Sequence, residues 1–415
     1  MIKNRYWQIC GLLGEKLGHS FSPQIHGLLA DYRYSLFEVP RDELESFIES
    51  DKYHSLNVTI PYKSTVIPYL DELSDAAKKI GAVNTITRLE NGKLFGDNTD
   101  IYGFKFMLRR AGIDVRGKNV LILGTGGTSK TVTVACEQLG ARTISLVSRV
   151  GELTYENAHL KCPDAEVIIN CTPVGMYPNN LVSPIDISRF PSLEGVADVV
   201  YNPARTSLMM DAESRGLKVA GGLPMLVAQA KRACEVFTGE SIDESEIDII
   251  TRAVSAQTKN IILVGMPGVG KTTVGKLVAT TLGRELVDTD ELIVELAGKS
   301  IPEIFAEVGE DGFRALESEA VKLAGKKSGV VISTGGGTVT RERNYAPLHQ
   351  NGDIIFITRE LNSLAKNGRP LSLSRDLSEM YAERLPLYRN FCDVEFVNDT
   401  PQNTAQKILK YFLED

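Results

Sequence analysis

The sequence predicts an α/β protein whose domains are built on parallel sheets. Two observations lead to this prediction. Short runs of β-favouring residues alternate with helical patterns along most of the 415-residue chain, as parallel α/β architecture requires. Two glycine-rich loops, 124–131 and 265–273, each follow a short apolar run and open a helical pattern. The length exceeds that of one ordinary domain and predicts two or three.

The candidate strands fall into two series separated by a polar segment. The first series comprises 121–123, 143–147, 167–169 and 196–200, and the second comprises 261–264, 330–333 and 354–357. Between them, isoleucine and valine have helical spacing over 241–254, whereas 255–260 are polar and have none. We therefore place a domain boundary near 256–259.

Composition is that of an ordinary globular protein. Hydrophobic residues make up 43% and charged residues 24%, so sizeable cores can form. A formal net charge of −7 disfavours a broad basic surface for nucleic acid. Six scattered cysteines without a C-x-x-C pair indicate neither a disulfide framework nor a zinc site. No apolar stretch approaches ~18 residues and the start MIKNRYWQICG lacks a signal region, so we expect a cytoplasmic protein that binds neither nucleic acid nor membrane.

The second glycine loop, GMPGVGKTT at 265–273, completes the P-loop pattern G-x-x-x-x-G-K-[ST]. It follows the strand-like run NIILV and opens a helical run. Glycines in such a loop let backbone N–H groups surround phosphate oxygens, and the helix N-terminus adds positive potential. Lys271 would reach the β- and γ-phosphates of ATP, and Thr272 would hold Mg²⁺. The loop alone indicates only a superfamily.

Polar residues follow the P-loop in an order that indicates an acceptor hydroxyl. Asp288 and Asp290 in LVDTDELI are two positions apart, so both carboxylates would face one side of an extended segment. One could bind Mg²⁺ through water, while the other orients and deprotonates the acceptor. Further along come Arg314, the glycine triplet 335–337, Arg369 and Arg384. A single arginine on a helix usually faces solvent, but this order behind a P-loop is much more specific.

This constellation resembles shikimate kinase across residues 258–415. The resemblance implies that Asp290 bonds the shikimate hydroxyls and acts as catalytic base, and that Arg314 and Arg384 grip the substrate carboxylate. The other implied contacts are Gly265, Gly268, Gly270, Lys271, Thr272, Thr273 and Arg369 for ATP, Thr272 and Asp288 for the metal, and Gly336 and Gly337 for the substrate. Arg369 matches the family's mobile lid. The segment VNDTPQNT departs from the family because it carries no arginine to stack on adenine.

The N-terminal part carries short polar clusters at the ends of apolar runs. They are GHSFSPQIH with Ser20 and Ser22, LNVTIPYK with Asn57, Thr59 and Lys63, GAVNTI with Asn84, and GDNTD with Asn98 and Asp100. Asparagine and threonine beside turns are commonly caps, so any one cluster is equally well explained by local structure. Four such clusters together favour a pocket for a polyhydroxylated, carboxylated small molecule.

These clusters resemble shikimate dehydrogenase over residues 6–254, with further matches at INCTPVGM, VYNPARTSL and MLVAQA. The resemblance implies a catalytic pair, Lys63 and Asp100. It also implies that the substrate is held by Ser20, Ser22, Thr59, Asn84, Asp100, Tyr201 and Gln229. Reducing a ketone needs a hydride on carbon and a proton on oxygen, and a lysine beside a carboxylate can be held in position to donate that proton.

The first glycine loop, GTGGTSKT at 124–131, nearly fits both the dinucleotide and the P-loop patterns and fails both at Ser129. Its strand–turn–helix–strand context favours a dinucleotide, because a small residue can replace the third glycine there. Arg149 follows the second strand, where it can pair with the 2′-phosphate of NADP. The expected NADP contacts are Gly124, Gly126, Gly127, Ser148, Arg149 and Gly222. Lys130 is then expected at the surface or the phosphate rim.

Together the resemblances imply a bifunctional enzyme that reduces 3-dehydroshikimate to shikimate with NADPH, then phosphorylates shikimate to shikimate 3-phosphate with ATP and Mg²⁺. We expect a substrate-binding α/β domain at 1–100 completed by 225–255, a Rossmann-like NADP domain at 101–224, and a P-loop kinase domain with a parallel sheet at 258–415. Two alternatives stay open: a preference for quinate in the N-terminal half, and a non-catalytic metabolite-sensing regulator. The oligomeric state, monomer or homodimer, is also open.

Overall fold

The structure is a computed structural model and describes residues 9–18, 20–361 and 377–414. Arg369 lies outside the described residues. Contacts divide the chain into two compact units. The first contains the described residues up to Gly175 with Val182–Tyr201 and Leu208–Val254, and the second contains Met176–Leu181, Asn202–Ser207 and the described residues from Ser255 onward. Within the described part of the chain, no helix is long and apolar enough to cross a membrane.

The first unit contains a six-stranded mixed sheet. Its strands are β1 (Ile9–Gly14), β2 (Arg33–Glu38), β3 (Ser55–Val58), β4 (Glu72–Leu73), β5 (Thr85–Arg88) and β6 (Leu94–Asp97), and the accompanying helices are α1 (Ser22–Leu29), α2 (Leu44–Ile48) and α3 (Asp75–Ile80). The strand order is β2-β1-β3-β5-β6-β4. Leu13, Leu56 and Ile86 are fully buried in the apolar cluster of this sheet.

One strand of this sheet departs from the parallel pattern. β5 runs antiparallel to both β3 and β6. A tight turn joins β5 to β6: Leu89 N donates to Lys93 O at 2.8 Å, and Gly92 has a φ of 83°. Such a short connection joins antiparallel strands, because a parallel neighbour needs a crossover of a dozen or more residues.

A second sheet in the same unit is wholly parallel. Its strands are β7 (Asn119–Leu123), β8 (Thr143–Val147), β9 (Val167–Asn170), β10 (Gly195–Asp198) and β11 (Lys218–Ala220), in the order β11-β10-β9-β7-β8. The helices of this part are α4 (Asp100–Arg110), α5 (Gly127–Gln138), α6 (Ala158–Lys161), α7 (Ser207–Ser214), α8 (Gly222–Thr238) and α9 (Ser245–Thr258). The first residue of α7 and the last four residues of α9 belong to the second unit. All four strands predicted here are present. β10 ends two residues early because Asp198 Oδ1 accepts from Val200 N at 3.0 Å and turns the chain.

Helix α9 continues past the point where the helical pattern of the sequence stops. Residues 255–258 lack apolar spacing, yet they belong to the helix. Lys259 N donates to Ser255 O at 2.8 Å, which completes the last turn. None of the four residues is glycine or proline, so nothing in the backbone ends the helix, and a terminal turn needs no apolar stripe. The loss of an apolar stripe was therefore a poor marker of the helix end.

Helices α4 and α8 approach closely at a glycine. A Cβ atom on Gly103 of α4 would lie 2.5 Å from Met225 O and 3.0 Å from Gln229 Cβ, both on α8. No side chain fits at Gly103 unless the helices move apart. Because α4 begins with Asp100 and α8 carries Gln229, this contact sets the spacing of two predicted substrate residues.

Replacing Gly103 with alanine should lower the free energy of unfolding by about 1–3 kcal/mol, the usual cost of overpacking. Urea unfolding of the full chain measures this. The control is Gly27→Ala, since Gly27 lies within α1 and an added Cβ would meet nothing within 4 Å. The control should be neutral or slightly stabilising. An equal midpoint for the two variants would contradict the close approach.

The second unit contains a five-stranded parallel sheet, as predicted for the C-terminal part. Its strands are β12 (Asn260–Val264), β13 (Leu286–Asp288), β14 (Val331–Ser333), β15 (Gly352–Thr358) and β16 (Val394–Val397), in the order β13-β14-β12-β15-β16. The helices are α10 (Lys271–Leu282), α11 (Thr289–Ala297), α12 (Ile301–Gly325), α13 (Tyr345–His349), α14 (Leu377–Phe391) and α15 (Pro401–Glu414). Every residue of β12 and β15 is buried, as expected of central parallel strands.

Candidate active sites

Lys63 and Asp100 form an ion pair in the first unit. Lys63 Nζ lies 2.6 Å from Asp100 Oδ2, and the two side chains are 22% and 12% exposed. Lys63 lies in the loop after β3, and Asp100 is the first residue of α4. A charge-assisted hydrogen bond of this length fixes the ammonium group, while the remaining exposure leaves it accessible to a small molecule. The structure thus brings together the two residues predicted as a catalytic pair.

Asn84 connects the start of α4 to α8. Its Oδ1 accepts from Thr99 N at 2.7 Å and from Thr85 Oγ1 at 3.0 Å. Its Nδ2 donates to Thr99 Oγ1 at 3.1 Å and to Gln229 Oε1 at 3.4 Å. Asn84 and Thr99 are buried, so this network fixes the start of α4, and with it Asp100, relative to Gln229. Thr99 was missed from the sequence, although it lies inside the quoted motif GDNTD.

The predicted substrate hydroxyls lie in loops or at the start of a helix. Thr59 N donates to the carbonyl oxygen of a β1 residue at 2.9 Å, which places Thr59 beside the carboxyl end of β1. Ser20 Oγ accepts from Ser22 N at 3.2 Å. The ring of Tyr201 lies 5.8 Å from that of Phe21, which separates the two serines. Substrate binding by these residues stays a prediction.

A buried cluster of aromatic and polar side chains supports helix α1, which begins at Ser22. Tyr34 O–H donates to Asn57 Oδ1 at 2.8 Å. His26 stacks on Tyr34 with ring centroids 4.1 Å apart. Burial lowers the pKa of His26 to about 3, so the ring is neutral at ordinary pH. Asn57, a candidate from the sequence, belongs to this supporting cluster.

The first glycine loop connects β7 to α5. Gly124 has a φ of 102°, and a Cβ there would lie 2.8 Å from Thr172 Cγ2. Gly126 and Gly127 have open space where a Cβ would be, so a ligand can approach the backbone at the N-terminus of α5. Ser129 is 2% exposed, and its Oγ donates to Gly126 O at 2.6 Å. Ser129 therefore stabilises the loop by a hydrogen bond to its backbone, at the position where the dinucleotide pattern has its third glycine.

Arg149 is exposed just after β8, the strand beside β7 in the sheet. Its neighbour Ser148 donates from Oγ to Val150 O, and Ser148 N donates to Leu153 O at 3.1 Å. The hydroxyl of Ser148 thus bonds its own loop in this structure, and its contact with a cofactor stays a prediction. Lys130 is also exposed.

Gly222 begins α8 at the edge of the parallel sheet. A Cβ on Gly222 would lie 2.2 Å from Val199 O, so the chain passes too closely there for any side chain. The neighbouring ends of β9 and β10 are linked by a hydrogen bond between Asn170 and Asp198, both of which are fully buried. Asn170 Nδ2 donates to Asp198 Oδ1 at 3.0 Å, and Asn170 Oδ1 accepts from Thr172 Oγ1 at 2.7 Å. Sequence reasoning missed this pair, and its only signal was an asparagine at a strand end in INCTPVGM.

The P-loop of the second unit depends on three glycines with positive φ. Gly265, Gly268 and Gly270 have φ values of 150°, 85° and 100°. Lys271 Nζ donates to Gly265 O at 2.8 Å and to Met266 O at 3.1 Å, so the ammonium group folds back over the loop. Lys271 is 7% exposed. A phosphate group entering the loop would meet this positive charge and the N-terminus of α10.

Three oxygen side chains meet beside the P-loop. Thr272 Oγ1 lies 3.0 Å from Asp288 Oδ2 and 3.1 Å from Ser333 Oγ. Mg²⁺ prefers oxygen ligands and binds through one or two carboxylates together with substrate phosphates. The donor set therefore fits Mg²⁺, although the described residues contain no group of three or more His, Cys, Asp or Glu side chains that could hold a metal ion without other ligands. Ser333 was missed from the sequence, where it ends an ordinary buried strand.

Asp290 and Arg314 approach the glycine triplet from two helices. A Cβ on Gly335 would lie 3.0 Å from Asp290 Oδ1, and one on Gly337 would lie 2.1 Å from Arg314 Nη1. Arg314 is 3% exposed and pairs with Glu317, the Nη1–Oε2 distance being 2.7 Å. Only glycine leaves room for these side chains. Glu317, an ordinary helical glutamate in the sequence, was missed, and it orients Arg314 by this pair.

Arg384 and Tyr388 of α14 form hydrogen bonds to the backbone of the glycine triplet. Arg384 Nη1 donates to Gly336 O at 3.1 Å, and Tyr388 O–H donates to the same oxygen at 2.5 Å. Burial raises the pKa of Tyr388, so its phenol stays protonated and remains a donor. In a trans peptide the N–H points opposite to the C=O, so the Gly337 N–H faces away from these two groups.

A cavity of about 490 Å³ opens where β12, β13 and β14 end. Ligands of open parallel sheets bind at this edge. The predicted residues in its walls are Gly268, Gly270, Lys271, Thr272, Thr273, Asp288, Asp290, Arg314, Gly336, Gly337 and Arg384. The walls also contain residues that were not predicted, among them the polar residues Glu317, Ser333, Arg359 and Asn398. The volume suits a nucleotide and a small acceptor together.

Comparison with known proteins identifies both parts of the chain. The family model described as "Shikimate dehydrogenase substrate binding domain" matches residues 12–86, and that described as "Shikimate kinase" matches residues 267–415. A shikimate dehydrogenase (NADP(+)) from Clostridium perfringens is 39% identical over 258 residues, which are 57% of this chain and 95% of the relative. One from Clostridium beijerinckii is 40% identical over 254 residues, which are 56% and 93%.

Solved structures agree with this assignment. A chorismate mutase/shikimate 5-dehydrogenase fusion protein from Clostridium acetobutylicum is 38% identical with a TM-score of 0.56, over 60% of this chain and 97% of that one. The shikimate 5-dehydrogenase from Thermus thermophilus, in complex with NADP(H) and shikimate, is 30% identical with a TM-score of 0.54, over 59% and 99%. The chain therefore belongs to the shikimate dehydrogenase family and carries a shikimate kinase domain at residues 267–415.

Proposed function

We propose that the chain is a bifunctional enzyme of aromatic amino acid biosynthesis. It reduces 3-dehydroshikimate to shikimate with NADPH and phosphorylates shikimate to shikimate 3-phosphate with ATP and Mg²⁺. One observation carries this proposal: the chain contains the reactive groups for both steps. Lys63 and Asp100 form an ion pair at 2.6 Å, and Lys271 and Asp290 line one cavity. Substrate-binding, NADP and kinase domains are assigned to 1–100 with 225–255, 101–224 and 258–415.

In the reduction, Lys63 donates a proton to the substrate carbonyl oxygen. Bound NADPH supplies the hydride that the carbonyl carbon receives, so the C=O bond becomes a CH–OH group. Asp100 accepts the hydrogen bond of Lys63 and keeps the ammonium group aimed at the oxygen. Asn84 and Gln229 fix the start of α4 and thereby the position of Asp100. In the reverse reaction Lys63 takes the proton back.

In the phosphorylation, Asp290 accepts the proton of a shikimate hydroxyl as its oxygen attacks the γ-phosphorus of ATP. The bond between that phosphorus and the β,γ-bridging oxygen breaks, and ADP leaves. Lys271 stabilises charge on the phosphates, and Arg314 and Arg384 hold the substrate carboxylate. When bound beside Thr272 and Asp288, Mg²⁺ neutralises phosphate charge. The acceptor oxygen is the one that the reduction has just converted from ketone to alcohol.

Separate assays of the purified chain test the two activities. NADP reduction with shikimate and ADP formation from shikimate and ATP should both be measurable. Quinate should be oxidised with a lower kcat/KM than shikimate, and a higher value would overturn the substrate assignment. The alternative of a non-catalytic sensor is disfavoured because Lys63, Asp100, Lys271 and Asp290 are all present. Absence of both activities would favour it again.

Arg149 should determine the preference for NADP over NAD. The variant Arg149→Ala loses the cation that pairs with the 2′-phosphate, so KM for NADP should rise about tenfold or more while KM for NAD changes little. Initial rates with both cofactors measure this. Arg142→Ala is the control, because Arg142 is an exposed arginine just before the opposite end of β8. Equal losses with NADP and NAD would contradict the assignment.

A cytoplasmic location is proposed on the state of the cysteines. All six are free in the structure, so no disulfide requires an oxidising compartment. The partners are the small-molecule substrates.

A further inference from the structure

Asn398 is a buried amide that follows β16 and reaches the P-loop. It is 1% exposed, and its Nδ2 donates to Val269 O at 2.6 Å. Its backbone N donates to Thr358 O at 2.7 Å. Its Oδ1 accepts from Thr404 Oγ1 at 3.0 Å, and Thr404 is fully buried. The amide thus uses its donor end on the P-loop and its acceptor end on α15, which fixes its orientation.

The bond to Val269 determines how one P-loop peptide is turned. Val269 lies between Gly268 and Gly270, which have φ values of 85° and 100°. The C=O of Val269 and the N–H of Gly270 belong to one planar trans peptide, so they point in opposite directions. While Asn398 holds the Val269 oxygen, the Gly270 N–H faces away from the amide. Gly270 also lines the cavity of about 490 Å³.

The loop and the amide fit closely. A Cβ on Gly270 would lie 2.7 Å from Asn398 Nδ2, so position 270 has no room for a side chain. Aspartate at 398 would have nearly the same shape, but an ionised carboxylate has no hydrogen to donate. It would set a negative oxygen against the Val269 carbonyl and favour a turned peptide. The interaction therefore requires an amide, and shape alone does not satisfy it.

We propose that Asn398 is a positioning residue of the phosphoryl-transfer site. It holds the peptide between Val269 and Gly270 so that the Gly270 N–H is presented to an ATP phosphate oxygen, although it lies 129 residues further along the chain. Asn398 itself donates no bond to the nucleotide in this role. The inference rests on the proposed kinase activity and adds a residue to its nucleotide site.

The test is Asn398→Asp in the full chain. KM for ATP should rise about tenfold or more, since one charge-assisted bond to phosphate is lost. KM for shikimate should change less than twofold, and dehydrogenase activity of the same molecules should equal that of the unchanged chain. Asn403→Asp is the matched control, because it makes the same change at an exposed position of α15. Calorimetric titration with ADP gives a second reading that needs no turnover.

A rise in KM for ATP without a rise in KM for shikimate distinguishes a positioning role from general support of the fold. An unchanged KM for ATP, or an equal rise in both constants, would overturn the proposal. If Asn398→Asp does not fold, Asn398→Ala decides, since it removes the donor to Val269 O and places no charge beside the loop. A rise in KM for ATP alone then supports the role, and no rise refutes it. Lack of phosphorylation by the unchanged chain would instead count against the proposed function, and ADP titration would still test Asn398.

Discussion

Replacing Lys63 with alanine should lower kcat/KM for the reduction of 3-dehydroshikimate about a thousandfold, within the usual range for loss of a general acid. In the proposed mechanism the ammonium group is the proton donor, and Asp100 at 2.6 Å holds it in position. Asp100 cannot replace it, because an ionised carboxylate accepts hydrogen bonds and has no proton to donate. Phosphorylation of added shikimate by the same variant should stay within about twofold, since the proposed kinase residues belong to the second unit.

The control for Lys63→Ala is Lys52→Ala, which removes an exposed lysine from the same part of the chain. Both variants are assayed for NADPH oxidation and for ADP formation at saturating substrates. A parallel fall of both activities in Lys63→Ala would show damage to the fold and would contradict two independent sites. A reduction rate within tenfold of the unchanged chain would remove Lys63 from the catalytic pair.

Replacing Asp290 with asparagine should lower kcat for phosphorylation about a thousandfold while reduction continues. The amide keeps the size of the side chain but cannot accept the hydroxyl proton. Shikimate should therefore accumulate when the variant is supplied with 3-dehydroshikimate, NADPH and ATP. Chromatography of the products measures shikimate and its phosphate together.

Glu291→Gln is the control for Asp290→Asn, because Glu291 is the next residue of α11 and is exposed. The control should phosphorylate shikimate at the normal rate. Two results would count against the assignment of Asp290 as base: a phosphorylation rate close to normal, or a raised KM for shikimate with kcat unchanged. The second result would make Asp290 a binding residue only.

Short motifs made much of the geometry at both candidate sites predictable. The P-loop sequence, the DTD segment and the glycine triplet each place several polar groups within a few residues, and parallel strands then bring their ends to one edge of the sheet. The predicted strands of both parallel sheets are present for the same reason, since buried parallel strands read as apolar runs. The Lys63–Asp100 pair joins residues 37 positions apart. Its prediction depended on the resemblance to a family, because no local spacing in the sequence reveals it.

The residues that sequence reasoning missed act across long separations. Glu317, Ser333 and Asn398 are common residue types in ordinary helices, strands and turns, and nothing nearby marks them. Their roles arise only when distant elements meet, as when Asn398 reaches Val269. Ser129 is a related case: the sequence presents it as a failed glycine, whereas the folded loop uses its hydroxyl to bond Gly126 O at 2.6 Å.

The helix end at Thr258 shows the limit of apolar periodicity. A terminal turn needs backbone hydrogen bonds and residues that allow them, and it needs no buried face. Asp290 and Asp288 show a second limit. The backbone N of Asp290 donates to Asp288 Oδ1 at 3.0 Å, so Asp288 caps α11 as well as facing Thr272. A pattern of spacing could not separate these two roles.

The purified chain should carry out both steps in succession on the same substrate oxygen. The direct measurement supplies it with 3-dehydroshikimate, NADPH, ATP and Mg²⁺ and follows NADP and ADP together. One ADP should form for each NADPH oxidised at completion, and none should form from 3-dehydroshikimate when NADPH is left out, because the ketone has no hydroxyl to phosphorylate at that carbon. NADPH oxidation without ADP formation, or ADP formation that does not depend on NADPH, would show that the chain does not carry out the two steps in succession.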